Sequence, residues 1–165
     1  MPTPGDFKPT NLPYLTSEDH DEDYAAVGGN VERYIAAGNL NVGDVVFFSA
    51  VNGVVNKANT AASYQLFAGV VVGGARTTMG NVLSQSSAVG TLAAVANEQV
   101  FVQTSGKCFV VSDAAIVAPA KVTGGTVTAG RVASGVSASQ GQIIGVVLQA
   151  AAGAGVVVLM NISYQ

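Results

Sequence analysis

Apolar residues come in short runs, rich in valine and punctuated by glycine and asparagine, from Val31 to the end of the chain. Alternation over so few residues reads as half-buried strands, not as amphipathic helices. The pattern predicts strands over Val31–Ala36, Val45–Ala50, Val54–Lys57, Tyr64–Val72, Gln99–Thr104, Lys107–Ser112, Lys121–Thr123, Thr126–Thr128, Ile143–Gln149 and Gly155–Ile162. Asn52-Gly53 predicts a tight hairpin, because both residues tolerate positive φ. Gly124-Gly125 predicts another, between Lys121–Thr123 and Thr126–Thr128, and Ser105-Gly106 joins two further strands. The stretch Gly73–Asn97 is the least strand-like and reads as a long loop holding at most one short helix, with a second turn over Asp113–Ala118.

One pattern recurs. Phe67-Ala-Gly-Val-Val-Val72 returns 76 residues later as Ile143-Ile-Gly-Val-Val-Leu148. At the same spacing Gly43-Asp-Val-Val46 lies over Pro119-Ala-Lys-Val122, each ahead of a hairpin signal. Two related β units are expected, over about 43–73 and 119–149. Gly69 and Gly145, inside strand-like runs, predict a bulge or a close backbone approach.

The first 23 residues differ in texture. They hold four of the five prolines and end in the acidic run Glu18-Asp-His-Asp-Glu-Asp23. Proline fixes φ and removes a donor, and like charges repel, so residues 1–23 are expected as an extended arm before a single β domain over 24–165. Stretched out, the arm reaches about 75 Å at ~3.3 Å per residue. Phe7, Leu12, Tyr14 and Leu15 are spaced apolar groups that a solvated linker would not need. They suit an arm that orders on a partner's surface.

Composition supports the all-β reading. Half the chain is apolar (49%), yet aromatics are 7%, tryptophan is absent and charged residues reach only 10%, against about 25% in typical domains. Six acids and one base give the arm a charge of −5, which leaves +2 on the body. Six bases scattered over the body form no phosphate track, so nucleic acid is not an expected partner. A nearly neutral surface favours association, which points to an assembly as the working state. The start of the chain lacks the basic and apolar runs of a secretory signal. The apolar stretch Ile143–Met160 could in length be a membrane helix, but Ala151-Ala-Gly-Ala-Gly155 divides it into two strands and a turn.

No candidate chemistry holds together. Asp19, Asp21 and Asp23 alternate like calcium-loop ligands, but Tyr24 and Asn30 stand where such a loop needs glycine and glutamate. The only histidine, His20, lies in the acidic run, and the only cysteine, Cys108, sits in a strand-like apolar run that suits a buried inert thiol. There is no nucleophile elbow, and Gly73–Gly80 lacks the lysine of a phosphate loop. Neither an enzyme, a metal site nor a cofactor is expected.

The order of the pieces resembles a known family. Gly43-Asp-Val-Val-Phe-Phe48, Phe67–Val72, Gln99–Val110, Ile143–Leu148 and Val156–Leu159 together resemble the capsid decoration (cement) proteins of tailed bacteriophages, including the lambda head-decoration type. The resemblance covers about residues 31–165, and Gly73–Asn97 is longer than the family pattern. It implies a small β-barrel or β-tulip body that cements capsomers on the outer surface of the virion. It also implies a homotrimer at three-fold and quasi-three-fold sites, bound to the major capsid protein. The arm would then carry the capsid contacts through Phe7, Pro9, Leu12, Pro13, Tyr14 and Leu15. The alternative is a host-surface or polysaccharide-binding module, which would need exposed aromatic platforms, with Tyr24, Tyr34, Tyr64 and Tyr164 the body's tyrosines.

Overall fold

Valine-rich alternation does produce strands, and the computed structural model describes them over residues 30–57, 66–77, 88–125, 127–135 and 143–163. The elements there are all strands: β1 (Val31–Ala36), β2 (Leu40–Asn41), β3 (Val45–Phe48), β4 (Val54–Asn56), β5 (Phe67–Gly74), β6 (Leu92–Ala94), β7 (Gln99–Gln103), β8 (Gly106–Val111), β9 (Ala120–Gly124), β10 (Val132–Ser134), β11 (Gly145–Val147) and β12 (Val157–Ile162). The fold is all-β, as expected. Strands β1-β4-β3-β5-β7 close into a barrel, and β10-β9-β11-β12-β8 form a second, half-barrel sheet. A two-stranded ribbon, β2 with β6, lies beside the barrel.

Alternation decides which side of each strand is buried. In β12, Val158, Met160 and Ile162 enter the half-barrel core, while Val157, Leu159 and Asn161 face outward. Strand β5 is buried along its whole length because it serves two cores. Its Ala68 and Val71 fill the barrel, and its Phe67 and Val70 pack into the half-barrel core with Val45 and Phe47 of β3. A strand covered on both faces loses alternation, which explains its continuous apolar sequence.

The two sheets use matching registers. Val46 pairs with Gly69 in the barrel, and Val122 pairs with Gly145 in the half-barrel, each residue shifted by 76. Strand β1 pairs with β7 from Val31↔Gln103 to Ile35↔Gln99, and β8 pairs with β12 from Lys107↔Asn161 to Val111↔Val157. Even the closure corresponds. A parallel contact Ala36↔Val55 joins β1 to β4, and a lone parallel bridge Ser112↔Val132 joins the ends of the half-barrel. Past β5 the shift falls from 76 to 58, so the barrel carries 18 residues between β5 and β7 that the half-barrel lacks. That excess lies within Gly73–Asn97.

Two expectations are corrected. The partner of β9 is β10, not Thr126–Thr128, with Val132↔Gly124 and Ala133↔Thr123 paired. The connection is longer than a Gly124-Gly125 turn because the Asp113 carboxylate accepts the Val127 N–H (2.7 Å) and the Thr128 N–H (3.0 Å). Those bonds hold 127–128 against a distant loop instead of beside β9. Within Gly73–Asn97, Gly73 and Gly74 complete β5, and Leu92–Ala94 form β6 against Leu40 of β2. Ser105-Gly106 does join β7 to β8, but the two strands belong to different sheets and do not pair.

Candidate interaction surface

Several ionisable groups of the described residues perform structural tasks. Asp44 sits where the barrel meets the half-barrel, accepting the Asn41 N–H at 2.8 Å and the Lys57 ammonium at 3.2 Å. Burial raises its pKa, and the Asn41 amide, Lys57 and Arg131 offset that only in part. Glu98 shows the opposite sign. The Arg76 guanidinium grips it through two bonds of 2.7 Å, it also accepts the Val95 N–H, and its carboxyl is held below the usual range.

This bidentate pair clasps the base of the residues that lengthen the barrel's β5–β7 connection. A lowered folded pKa means that the pair's contribution is complete above the ordinary carboxylate value and is lost as pH falls through the folded one. Amide exchange at Val95 and Arg76 is therefore expected to quicken on acidification from pH 6 to about pH 3, relative to β7, and Glu98→Gln should abolish that dependence. A pH-independent protection pattern would refute the clasp.

Cys108 is wholly buried, and burial pushes its thiol up, so it is a core side chain and no nucleophile. Tyr34 donates its hydroxyl to Glu32, and burial together with that acid pushes its pKa up to about 12. Its ring meets Phe48 edge-on at 5.3 Å and packs against the barrel core. No group of three or more metal-ligating side chains occurs among the described residues. No helix there is long and apolar enough to cross a membrane.

The surface itself is more informative. On the outside of the half-barrel, Val111 faces Val157, and Phe109 faces Leu159. Leu148 donates its N–H to the Leu159 carbonyl at 2.8 Å, and Val146 stands opposite Asn161. Val157 and Leu148 are 38% and 42% exposed. The same positions on the barrel hold Ile35 with Gln99, Arg33 with Phe101, and Val31 with Gln103. The barrel face thus sets exposed Arg33 and Gln99 beside Ile35 and Phe101, while its counterpart groups Val111, Val157, Phe109 and Leu159, flanked by Lys107 and Lys121, both exposed. This grouping of outward apolar side chains on a weakly charged body is the candidate interaction surface. Its β8 and β12 parts, such as Val111 and Val157, lie 46 or more positions apart, so only the alternating pattern within each strand hinted at it. Val51 and Val127, 76 apart, add two further exposed apolar points at 64% and 82%.

The residues expected to carry capsid contacts, Phe7, Pro9, Leu12, Pro13, Tyr14 and Leu15, lie outside the described residues, as do His20 and the acidic run.

A closed five-stranded barrel followed by a half-barrel of matching register defines the fold of this chain, all-β and built from two related sheets. Two solved structures share that fold. The N base of the head fibre gp8.5 of bacteriophage phi29 aligns with a TM-score of 0.52 at 13% identity, covering 82% of this chain and 95% of that one. A chain of the capsid of Myoviridae phage XM1 aligns with a TM-score of 0.53 at 22% identity, covering 82% and 84%. Identities this low establish the fold. No family model and no curated protein matches the chain.

Proposed function

We propose that this protein is a structural component of a phage virion that binds the outside of the capsid and cements capsomers without catalysis. The observation behind this reading is a fold shared over most of the chain with proteins of phage heads. The physical character of the body agrees: few charges, and an apolar outer face built from Val111, Val157, Leu159 and Leu148. We propose that the working form is a homotrimer on the major capsid protein. Three copies tied together turn weak single contacts into strong attachment, because the second and third bindings are intramolecular.

The arm, residues 1–23, is proposed as the main attachment, with Phe7, Pro9, Leu12, Pro13, Tyr14 and Leu15 against the capsid. Each buried apolar side chain contributes about 1.5–3 kcal/mol, against roughly 1–2 kcal/mol per residue for ordering the backbone. Net affinity therefore needs strand pairing with the capsid sheet as well as side-chain burial. The matching registers also favour a body of two copies of one unit, around 43–73 and 119–149.

The test compares full-length protein with a chain starting at Tyr24 for melting temperature and for binding to bare expanded capsids. Unchanged melting with at least tenfold weaker binding is expected, a loss of about 1.4 kcal/mol or more. Equal binding would remove the arm from the attachment. Imaging of decorated particles should show density at three-fold positions. Failure of the full-length chain to bind any expanded capsid, with binding to a glycan array instead, would replace the reading with host-surface recognition.

A further inference from the structure

Asn52 and Gly53 form the apex of the β3–β4 hairpin, where the chain is held on either side but not at the tip. Val51 donates its N–H to Ser49 Oγ at 3.0 Å, Val54 donates to the Val51 carbonyl at 3.2 Å, and Ser49 donates to the Val54 carbonyl at 2.9 Å. Neither the Asn52 side chain nor the Gly53 N–H takes part in a hydrogen bond among the described residues. Both residues are exposed, Gly53 has φ +74°, and a Cβ built on it would meet no atom within 4 Å. A side-chain amide and the next backbone nitrogen thus stand together in water, both unengaged.

Such a pair is reactive. A backbone nitrogen attacks the side-chain carbonyl carbon of a preceding asparagine, and the main obstacle is the side chain of the attacking residue, which glycine lacks. Every other asparagine of the chain precedes valine, leucine, isoleucine, threonine, lysine or glutamate, so this chemistry is confined to one place. The tip also bears on the barrel. The Gly53 carbonyl accepts the Ile35 N–H at 2.8 Å, the bond that opens the parallel β1–β4 contact ahead of Ile35↔Val54 and Ala36↔Val55.

We propose that Asn52 is a self-modification site, converted in the folded protein to aspartyl and isoaspartyl forms, and that the isoaspartyl form loosens the barrel where β1 meets β4. The Gly53 nitrogen bonds to Asn52 Cγ, the Cγ–Nδ2 bond breaks, and Nδ2 leaves as ammonia with the proton that the backbone amide gives up. Water then opens the resulting five-membered imide at one of its two carbonyls, and either opening leaves one new carboxylate. Nothing is oxidised or reduced. Opening at the main-chain carbonyl of Asn52 routes the backbone through the side chain and adds a methylene to it. That extra atom displaces the Gly53 carbonyl from Ile35. The proposal does not depend on the capsid reading.

The test keeps the folded full-length protein in mildly alkaline buffer and follows the tryptic peptide Tyr34–Lys57 by fragmentation mass spectrometry. That peptide also holds Asn39, Asn41 and Asn56, which serve as internal controls. A gain of a single mass unit is expected at Asn52, about tenfold or more faster than at any of the other three, with both aspartyl and isoaspartyl products. The gain should quicken on going from about pH 6.5 to about pH 8.5, because the attacking nitrogen must lose its proton. Asn52→Ser should abolish it. In the isolated isoaspartyl fraction the Ile35 amide should exchange about tenfold faster than in unmodified protein, whereas Asn52→Asp, with the same charge on an ordinary backbone, should stay within about twofold. A mass gain that appears in the urea-unfolded chain but not in the folded one would overturn the site. So would a gain shared equally by the four asparagines, or an aspartyl product alone. Ile35 exchange unchanged in the isoaspartyl fraction, or raised as much by Asn52→Asp, would overturn the loosening.

Discussion

Adding a single methyl group at residue 69 is expected to lower the stability of the fold by about 3 kcal/mol. Gly69 has φ +149°, and a Cβ there would stand 2.2 Å from the Gln103 carbonyl oxygen and 2.6 Å from Val102 Cγ1. Both are parts of β7 that cannot withdraw without opening the β5–β7 pairing that closes the barrel. Gly69 also lies where the β3–β5 register shifts, so a side chain meets strain as well as overlap. At the matching point of the half-barrel, a Cβ on Gly145 would approach the Asn161 carbonyl oxygen at 2.5 Å and Met160 at 3.0 Å. Its φ lies outside the left-handed region, so Gly145→Ala should cost less, about 2 kcal/mol, from overpacking alone. Gly153, with open space around it, provides the neutral control. Urea unfolding at constant m-value measures all three. Midpoints for Gly69→Ala and Gly145→Ala that coincide with that of Gly153→Ala would show that the close approaches carry no energetic weight.

Phe47→Ala is expected to cost about 2–4 kcal/mol and to loosen the half-barrel more than the barrel. The two bodies fill equivalent openings differently. In the barrel, Phe48 occupies its own opening, edge-on to Tyr34. The corresponding residue in the half-barrel is Gly124, and the Phe47 ring from the barrel fills that space, with Cζ 3.1 Å from where a Cβ would stand. Phe47 also meets Phe67 edge-on at 5.9 Å, so two aromatic side chains of the barrel complete the half-barrel core. Truncating Phe47 leaves a cavity at the junction that the half-barrel cannot fill from its own residues. Amide exchange should therefore quicken in β9 and β10 before it quickens in β1 and β7. Uniform loss of protection across both bodies would mean that they unfold as a single unit, and the asymmetry would be wrong.

Much of the local structure was legible because it is written in near neighbours. The Asn52-Gly53 signal lies in the connection of the β3–β4 hairpin, and alternation in Val157–Ile162 separates core from surface without knowledge of the partner strand. Val31–Ala36 is the strand the pattern predicts, residue for residue. Cys108 was readable as an inert core thiol from its apolar neighbours alone. The glycines at 69 and 145 announced close backbone approach because a gap in a valine run has few other uses. Errors arose where a distant group competed with a local signal. Gly124-Gly125 looks like a turn, but the Asp113 carboxylate, 14 and 15 residues away from Val127 and Thr128, binds both amides and moves the partner strand to Val132. Strand β6 was missed because Leu92–Ala94 is too short to show a period and is ordered by Leu40.

The candidate surface follows the same division. Composition alone pointed to association, since a body with six bases and four acids has little charge to keep copies or partners apart. It also singled out the arm, through proline, acid and spaced apolar residues. The sequence by itself determined the class of fold, the strand texture, the absence of a recognisable catalytic motif and the place where the chain changes character at residue 23. The tertiary structure decided which strands pair across the chain and which of two matching faces is apolar. It also decided that Asn30 is bonded to the β7–β8 connection at Thr104 and Ser105. Those outcomes depend on registers such as Val111↔Val157, whose members lie 46 positions apart. Chain closure over that distance leaves no local pattern, because its cost grows only with the logarithm of loop length and any of several valine runs could have made the pairing.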